Sequence, residues 1–188
     1  MSYAGFWRRF GAFWLDFIVY LPVIIFSVWL MSKTQAALTI WLLPGAAIGV
    51  WFSVYLVKRY GGTPGKLIMG LRIVRVDGST IGYKEAILRY LPLFALALLM
   101  SIAYMLGSWR LSDVEYMSLA WNERQGRLAE LAPSWYRPAY VLEQIWIWSE
   151  FVVMMTNKKR RALHDFLAGT VVVKVKAAPA TEPAFPRG

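Results

Sequence analysis

Asp16 stands in the run Ala12-Phe13-Trp14-Leu15-Asp16-Phe17-Ile18-Val19-Tyr20-Leu21, an acid among apolar and aromatic neighbours. Arg9 precedes it by seven residues, two helical turns, so both side chains share one helix face. A charged residue inside an apolar span costs about 2.5–3.5 kcal/mol on insertion scales, so it faces other protein or a watery cavity and marks an ion or proton site by default. Glu143 and Glu150 repeat the seven-residue spacing later in the chain. Asp16 falls roughly 8 Å short of the centre of its apolar run, counted at helical rise. Glu150 falls on the corresponding side of its own run, so the two acids are candidates for one site at one depth. Desolvated carboxylates hold protons more tightly, and two close together more tightly still; such a pair suits exchange of H⁺ for a hard monovalent cation. The alternative is a structural acid, with Asp16 held by Arg9, Arg161 or a helix N-terminus. Glu143 lies nearer the outer end of its run, where an acid is tolerated without a role.

A second constellation is Arg161-Ala162-Leu163-His164-Asp165. Adjacent His and Asp suggest a metal-dependent phosphohydrolase, but the chain has one His and no Cys, too few ligands for a His- or thiolate-based metal or haem site. Neighbouring side chains on a helix also diverge by about 100°, which spoils a Ser-His-Asp triad. Asp165 is therefore expected to pair with Arg9 or another cation at the inner surface. The run Gly61-Gly62-Thr63-Pro64-Gly65-Lys66 ends in Gly-Lys like a phosphate loop. Tyr60 replaces the first Gly, Leu67 the metal-binding Ser or Thr, and Pro64 lacks a donor N–H. No catalytic residue, metal site or cofactor is expected, and the chain is not expected to be an enzyme.

The elements that carry these residues are long apolar blocks. Of 188 residues 58% are hydrophobic and the mean hydropathy is +0.44, against about 45–50% apolar residues in soluble domains. The pattern gives an all-α membrane protein with four transmembrane helices at about 12–31, 36–57, 86–107 and 136–155. Arg8-Arg9 before the first block resembles a signal n-region, but Asp16 and the length of the run favour an uncleaved span. Pro44-Gly45 is a candidate kink. Ser108 to Arg137 is a polar stretch holding an outer insertion (about 108–135). Within it Val114, Met117, Trp121, Leu128 and Leu131 recur at helical spacing, and Ser112 with Glu115 marks a start, giving one amphipathic helix over about 113–131. Leu71 to Val76 and Thr170 to Val175 are β-branched; neither is stable alone, so they are expected to pair as a two-stranded ribbon. Residues 1–176 form one domain, and the Pro- and Ala-rich 177–188 are expected to be disordered.

Charge orients the chain. Net charge is +10, with Lys58, Arg59, Lys66, Arg72, Arg75 and Lys84 in one loop and Lys158, Lys159, Arg160, Arg161, Lys174, Lys176 and Arg187 after the last span. The first outer loop has Lys33 alone, and the outer insertion balances its arginines with acids. Positive-inside then places both termini in the cytoplasm. The cations flank apolar blocks, so the expected partner is a bilayer with anionic headgroups, not nucleic acid, whose aromatic-lined basic groove is missing.

Arg9, Asp16, the run Gly62-Thr63-Pro64-Gly65-Lys66 through Gly70-Leu71-Arg72-Ile73-Val74, and Arg161-Ala162-Leu163-His164-Asp165-Phe166-Leu167-Ala168-Gly169-Thr170-Val171-Val172 together resemble the RDD family of membrane proteins. That family is named for one arginine and two aspartates, which the resemblance carries onto Arg9, Asp16 and Asp165. It covers all four spans and the tail; the outer insertion is longer than the resemblance implies. Some members look like monovalent-cation/proton antiporters, and a eukaryotic relative belongs to a protein-degradation membrane complex. The expectation is a small multi-pass inner- or plasma-membrane cation/proton transporter using Asp16, Glu150 and Glu143, with Arg9, Asp165 and Arg161 as a charge network. The alternative is a non-catalytic assembly or scaffold subunit that docks a soluble partner on its basic face. Four spans hardly enclose a pathway, so transport implies a homo-oligomer or a larger membrane complex.

Overall fold

The computed structural model describes residues 2–175; the tail expected to be disordered lies outside the described residues. Helix α1 (Phe6–Met31) begins six residues before the expected span, so Arg9 is inside it. Helix α2 (Ala37–Val50) runs through Pro44, and the irregularity expected there appears instead as a π turn over Trp51–Tyr55 before α3 (Leu56–Tyr60). A π turn widens the ladder by one residue, a local adjustment often found near functional sites. After α4 (Pro64–Ile68) and strand β1 (Leu71–Arg75) comes α5 (Tyr83–Ser108). Helix α8 (Tyr136–Thr156) precedes α9 (Leu163–Ala168) and strand β2 (Thr170–Lys174).

Three helical stretches, Phe6–Met31, Ala37–Ile68 and Tyr83–Ser108, are long and apolar enough to cross a membrane. Their outward faces carry apolar side chains, such as Ile18, Ile25, Ile40 and Leu43, that stay exposed among the described residues. An all-helical span satisfies its backbone internally, and such faces then meet lipid. Helix α8 has 21 residues, long enough to span, but carries Arg137, Glu143 and Glu150. Helix α5 is the hub, packing against α2, α8, α9 and the helix at Trp121–Leu131.

The expected ribbon forms. Strands β1 and β2 are antiparallel with Leu71 opposite Lys174 and Arg75 opposite Thr170. The N-terminal segment adds to the free edge of β2, with Ala4 N–H donating to Val172 O (2.9 Å) and Lys174 N–H to Ser2 O (2.9 Å). Leu71, Ile73, Val172 and Ala4 are buried with Ala12, Val54, Val57 and Ala86 in one core. The sheet thus clamps the ends of α1, α3 and α5, and each fully buried Val or Leu contributes about 1.5–3 kcal/mol.

The opposite end differs from expectation. The single amphipathic helix expected over the insertion is two helices, α6 (Asp113–Ser118) and α7 (Trp121–Leu131), broken at the extended residues Leu119 and Ala120. Each has its own start. Ser112 Oγ accepts from Glu115 N–H (3.1 Å), and Glu123 Oε2 accepts from Ala120 N–H (3.0 Å). The break lets Tyr116 and Leu128 turn inward together, into a second core with Leu38 and Leu111. Gly107 permits the close approach of α7, since a Cβ there would lie 2.8 Å from Leu128 O. Arg124 Nη1 and Tyr116 Oη both donate to Met31 O, tying the pair of helices to the end of α1.

Candidate functional site

Asp165 is the centre of a buried charge cluster at the sheet end of the bundle. It sits at the third position of α9, where its Oδ2 accepts from Ala162 N–H (3.0 Å) and closes the start of that helix. Gly169, at φ 66°, ends α9 and turns the chain into β2, which brings Thr170 Oγ1 to Asp165 Oδ1 (3.1 Å). Arg9 Nη1 from α1 donates to Oδ2 (2.8 Å), and Arg89 Nη1 from α5 pairs with Oδ1 and with Thr170 Oγ1. Four elements meet on one carboxylate that is fully buried. Burial opposes its ionisation, but Arg89 and Arg9 outweigh that and hold the carboxyl well below the usual range. Arg9 spends one nitrogen here; its Nε and Nη2 are buried without a partner among the described residues.

Asp16 lies deeper on α1 and is held by a different element. Its Oδ1 accepts from Gly65 N–H (2.7 Å) and its Oδ2 from Thr63 Oγ1 (2.6 Å). Lys66 Nζ is 3.7 Å from Oδ2 and donates to Thr63 Oγ1 (3.1 Å). Thr63 and Pro64 start α4, whose free Gly65 N–H the carboxylate meets. Gly65 makes this possible: a Cβ there would lie 2.6 Å from Asp16 N and closer still to Ala12 O. Of the structural partners named for Asp16 from sequence, the helix N-terminus is the one it meets. Its cation is Lys66, not Arg9 or Arg161.

The structure brings Arg9 and Asp165 together. It does not bring Asp16 to Glu150, whose Oε1 meets His164 Nδ1 instead. Arg89 Nη2 lies 2.7 Å from His164 Nε2. Arginine only donates, so Nε2 accepts and Nδ1 carries the hydrogen toward Glu150. A chain of contacts thus runs from Glu150 through His164 and Arg89 to Asp165 and Arg9. Arg161 is aimed at main chain: Nε to Thr170 O (3.1 Å), Nη2 to Asp165 O (2.9 Å), with its guanidinium over the Phe166 ring. Glu143 makes no hydrogen bond or ion pair among the described residues. Thr63, Lys66, Arg89, His164 and Thr170 complete the site and were not among the site residues expected from sequence. Two had a signal: Thr-Pro is a helix start seeking an acceptor, and Arg89 is the one cation within the apolar span expected over 86–107.

The chain is 31% identical to the uncharacterized membrane protein YteJ of Bacillus subtilis (strain 168), over 48% of this chain and 63% of that protein. The match therefore spans less than two thirds of the relative's length. No solved structure matches. The RDD family matches residues 3–169, which include Arg9, Asp16 and Asp165, and the chain belongs to that family of membrane proteins.

Proposed function

We propose that this RDD-family membrane protein is a multi-pass plasma-membrane transporter that exchanges a monovalent cation for a proton at Asp16. The observation that carries the reading is the identity of the counter-charge. Asp165 is held by two arginines, which stay protonated in proteins, whereas Asp16 is held by Lys66, which can give up its proton. With Lys66 protonated, its ammonium lies beside Asp16 Oδ2 and Thr63 Oγ1. When Lys66 releases H⁺, those two oxygens and Asp16 Oδ1 are left to a hard cation, and charge balances as one M⁺ bound for one H⁺ released. Oxygen donors without thiolate or a second imidazole suit Na⁺ or K⁺ better than a transition metal. The Glu150–His164 pair offers a proton route at the edge of the cluster. In this reading α8 is the fourth span, both termini are cytoplasmic, and copies associate to enclose the path.

The test is proton movement in proteoliposomes on addition of Na⁺ or K⁺. Wild type should move protons, and Asp16→Asn and Lys66→Arg should assemble normally yet lose the exchange. Wild-type vesicles with no cation-linked proton movement from about pH 6 to 9, a range bracketing a perturbed acid–base pair, would overturn the proposal. One observation favours a scaffold instead: the fit of Gly65 against α1 makes Asp16 an anchor for α4, while Lys58, Arg59, Arg72 and Lys84 stay exposed for an acidic partner. On that reading Asp16→Asn destabilises the bundle and wild type moves no protons.

A further inference from the structure

The beginning of α1 and the end of α8 enclose a second feature, a cavity of about 820 Å³ outside the Asp165 cluster. Four cations line it, Arg8, Lys158, Arg160 and Lys174, and among the described residues no carboxylate does. None of the four forms an ion pair among the described residues. Like charges gathered on one cavity repel, and an anion seated among them relieves that cost. The placement of Arg160 is specific. It adopts φ 50°, a left-handed conformation uncommon for a residue with a side chain, and such strain persists only where surrounding structure holds it. Its guanidinium passes over Gly5, where a Cβ would lie 2.7 Å from Nη1, so the absence of a side chain at Gly5 gives Arg160 its place.

We infer that this cavity binds the phosphate-bearing headgroup of an anionic phospholipid. Arginine matches phosphate oxygens with paired N–H donors, and lysine adds point charge. The remaining lining decides between a lipid and a soluble phosphate. Phe6, Trp7, Met154 and Met155 supply an apolar wall. Beyond it α8 continues outward with Val152 and Trp148 exposed, a path for acyl chains. Trp7 is 78% exposed beside the cations, the position of an interfacial aromatic. Basic pockets between spanning helices recognise lipid headgroups by this combination. A soluble phosphate would leave that wall unused. The site is independent of the Asp16 exchange and of which side of the membrane the sheet end faces.

Native mass spectrometry of the full detergent-solubilised chain, titrated with phosphatidylglycerol, tests the inference. Parallel arms use phosphatidylcholine, glycerol phosphate and inorganic phosphate. Wild type should retain one phosphatidylglycerol tightly and neither soluble phosphate. Arg8→Gln with Arg160→Gln should weaken retention on the order of thirtyfold, the effect of two interfacial cations. Arg8→Lys with Arg160→Lys keeps the charge and should stay within a few-fold of wild type, and it shows the altered chain still folds. Lys58→Gln with Arg59→Gln removes equal charge outside the cavity and should change little. Equal losses in the two Gln pairs would reduce the effect to general surface charge and overturn the site. Glycerol phosphate bound as tightly as the lipid, or phosphatidylcholine bound equally well, would overturn the headgroup assignment.

Discussion

Removing Asp165 should cost more stability than removing either arginine that holds it. Asp165→Ala strips the acceptor from Arg9, Arg89, Thr170 Oγ1 and Ala162 N–H at once. Both guanidiniums are left more than nine-tenths buried and uncompensated. Breaking a buried pair on one side costs about 3–5 kcal/mol, and with two stranded cations the loss belongs at the top of that range. Arg9→Ala leaves Arg89 on the carboxylate, so only one charged hydrogen bond is lost, about 1.5–3 kcal/mol. In the double variant Arg9 is no longer present to be stranded. The double variant's loss should therefore fall short of the sum of the two single losses by about 1–3 kcal/mol, the size of coupling between contacting residues. Unfolding in mixed detergent–SDS micelles, followed by Trp fluorescence, gives all four corners of the cycle. Additive losses, or an Asp165→Ala loss below about 1 kcal/mol, the scale of an ordinary substitution, would refute the account of Asp165 as the knot of four elements.

Gly65→Ala should destabilise by more than about 3 kcal/mol, because its Cβ meets the backbone of α1. Gly126→Ala, in α7 with open space around it, should be neutral or stabilise by up to about 1 kcal/mol; the same unfolding assay reads both. Because the Asp165 carboxyl is depressed on folding, its contribution is complete above its unfolded value of about 3.9 and is lost progressively as pH falls below it. Wild-type stability measured down the acid limb should fall more steeply than that of Asp165→Asn. The chain has no Cys, so single cysteines at exposed Ser2 and Asn122 report topology directly. In intact cells an impermeant maleimide should label Asn122→Cys and spare Ser2→Cys. Labelling of Ser2→Cys from outside would reverse the proposed orientation.

Much of the architecture was legible because membranes enforce simple patterns. Apolar runs long enough to span gave α1, α2 and α5, and two β-branched runs with no other partner gave the ribbon. The family pairing of one arginine with two acids led to Arg9 and Asp165. What failed were features set by tertiary contact. Helical spacing across the insertion passed over the break at Leu119 and Ala120, because inward packing of Tyr116 and Leu128 decides it and both halves keep the same period. Pro44 drew attention to itself while the π turn at Trp51–Tyr55, which contains neither Gly nor Pro, gave no signal. The pairing of Asp16 with Glu150 rested on depth alone, and depth does not say which helices adjoin.

The comparison of the two aspartates carries the functional argument furthest. Asp165 is fully buried and Asp16 half-buried, and both close the start of a short helix, α4 for Asp16 and α9 for Asp165. A purely structural role explains that shared geometry equally well for each. It does not distinguish their cations. Asp165 has two arginines and full hydrogen bonding, an arrangement that neither loses a proton near neutral pH nor leaves a lone pair for an ion. Asp16 has one lysine, reached at 3.7 Å and shared with Thr63. Arginine at position 66 would preserve the charge and the anchor, so a structural site would accept it with little change. Only a site that must release its counter-charge would be disabled, which makes the lysine, rather than either acid, the residue on which the two functional readings part.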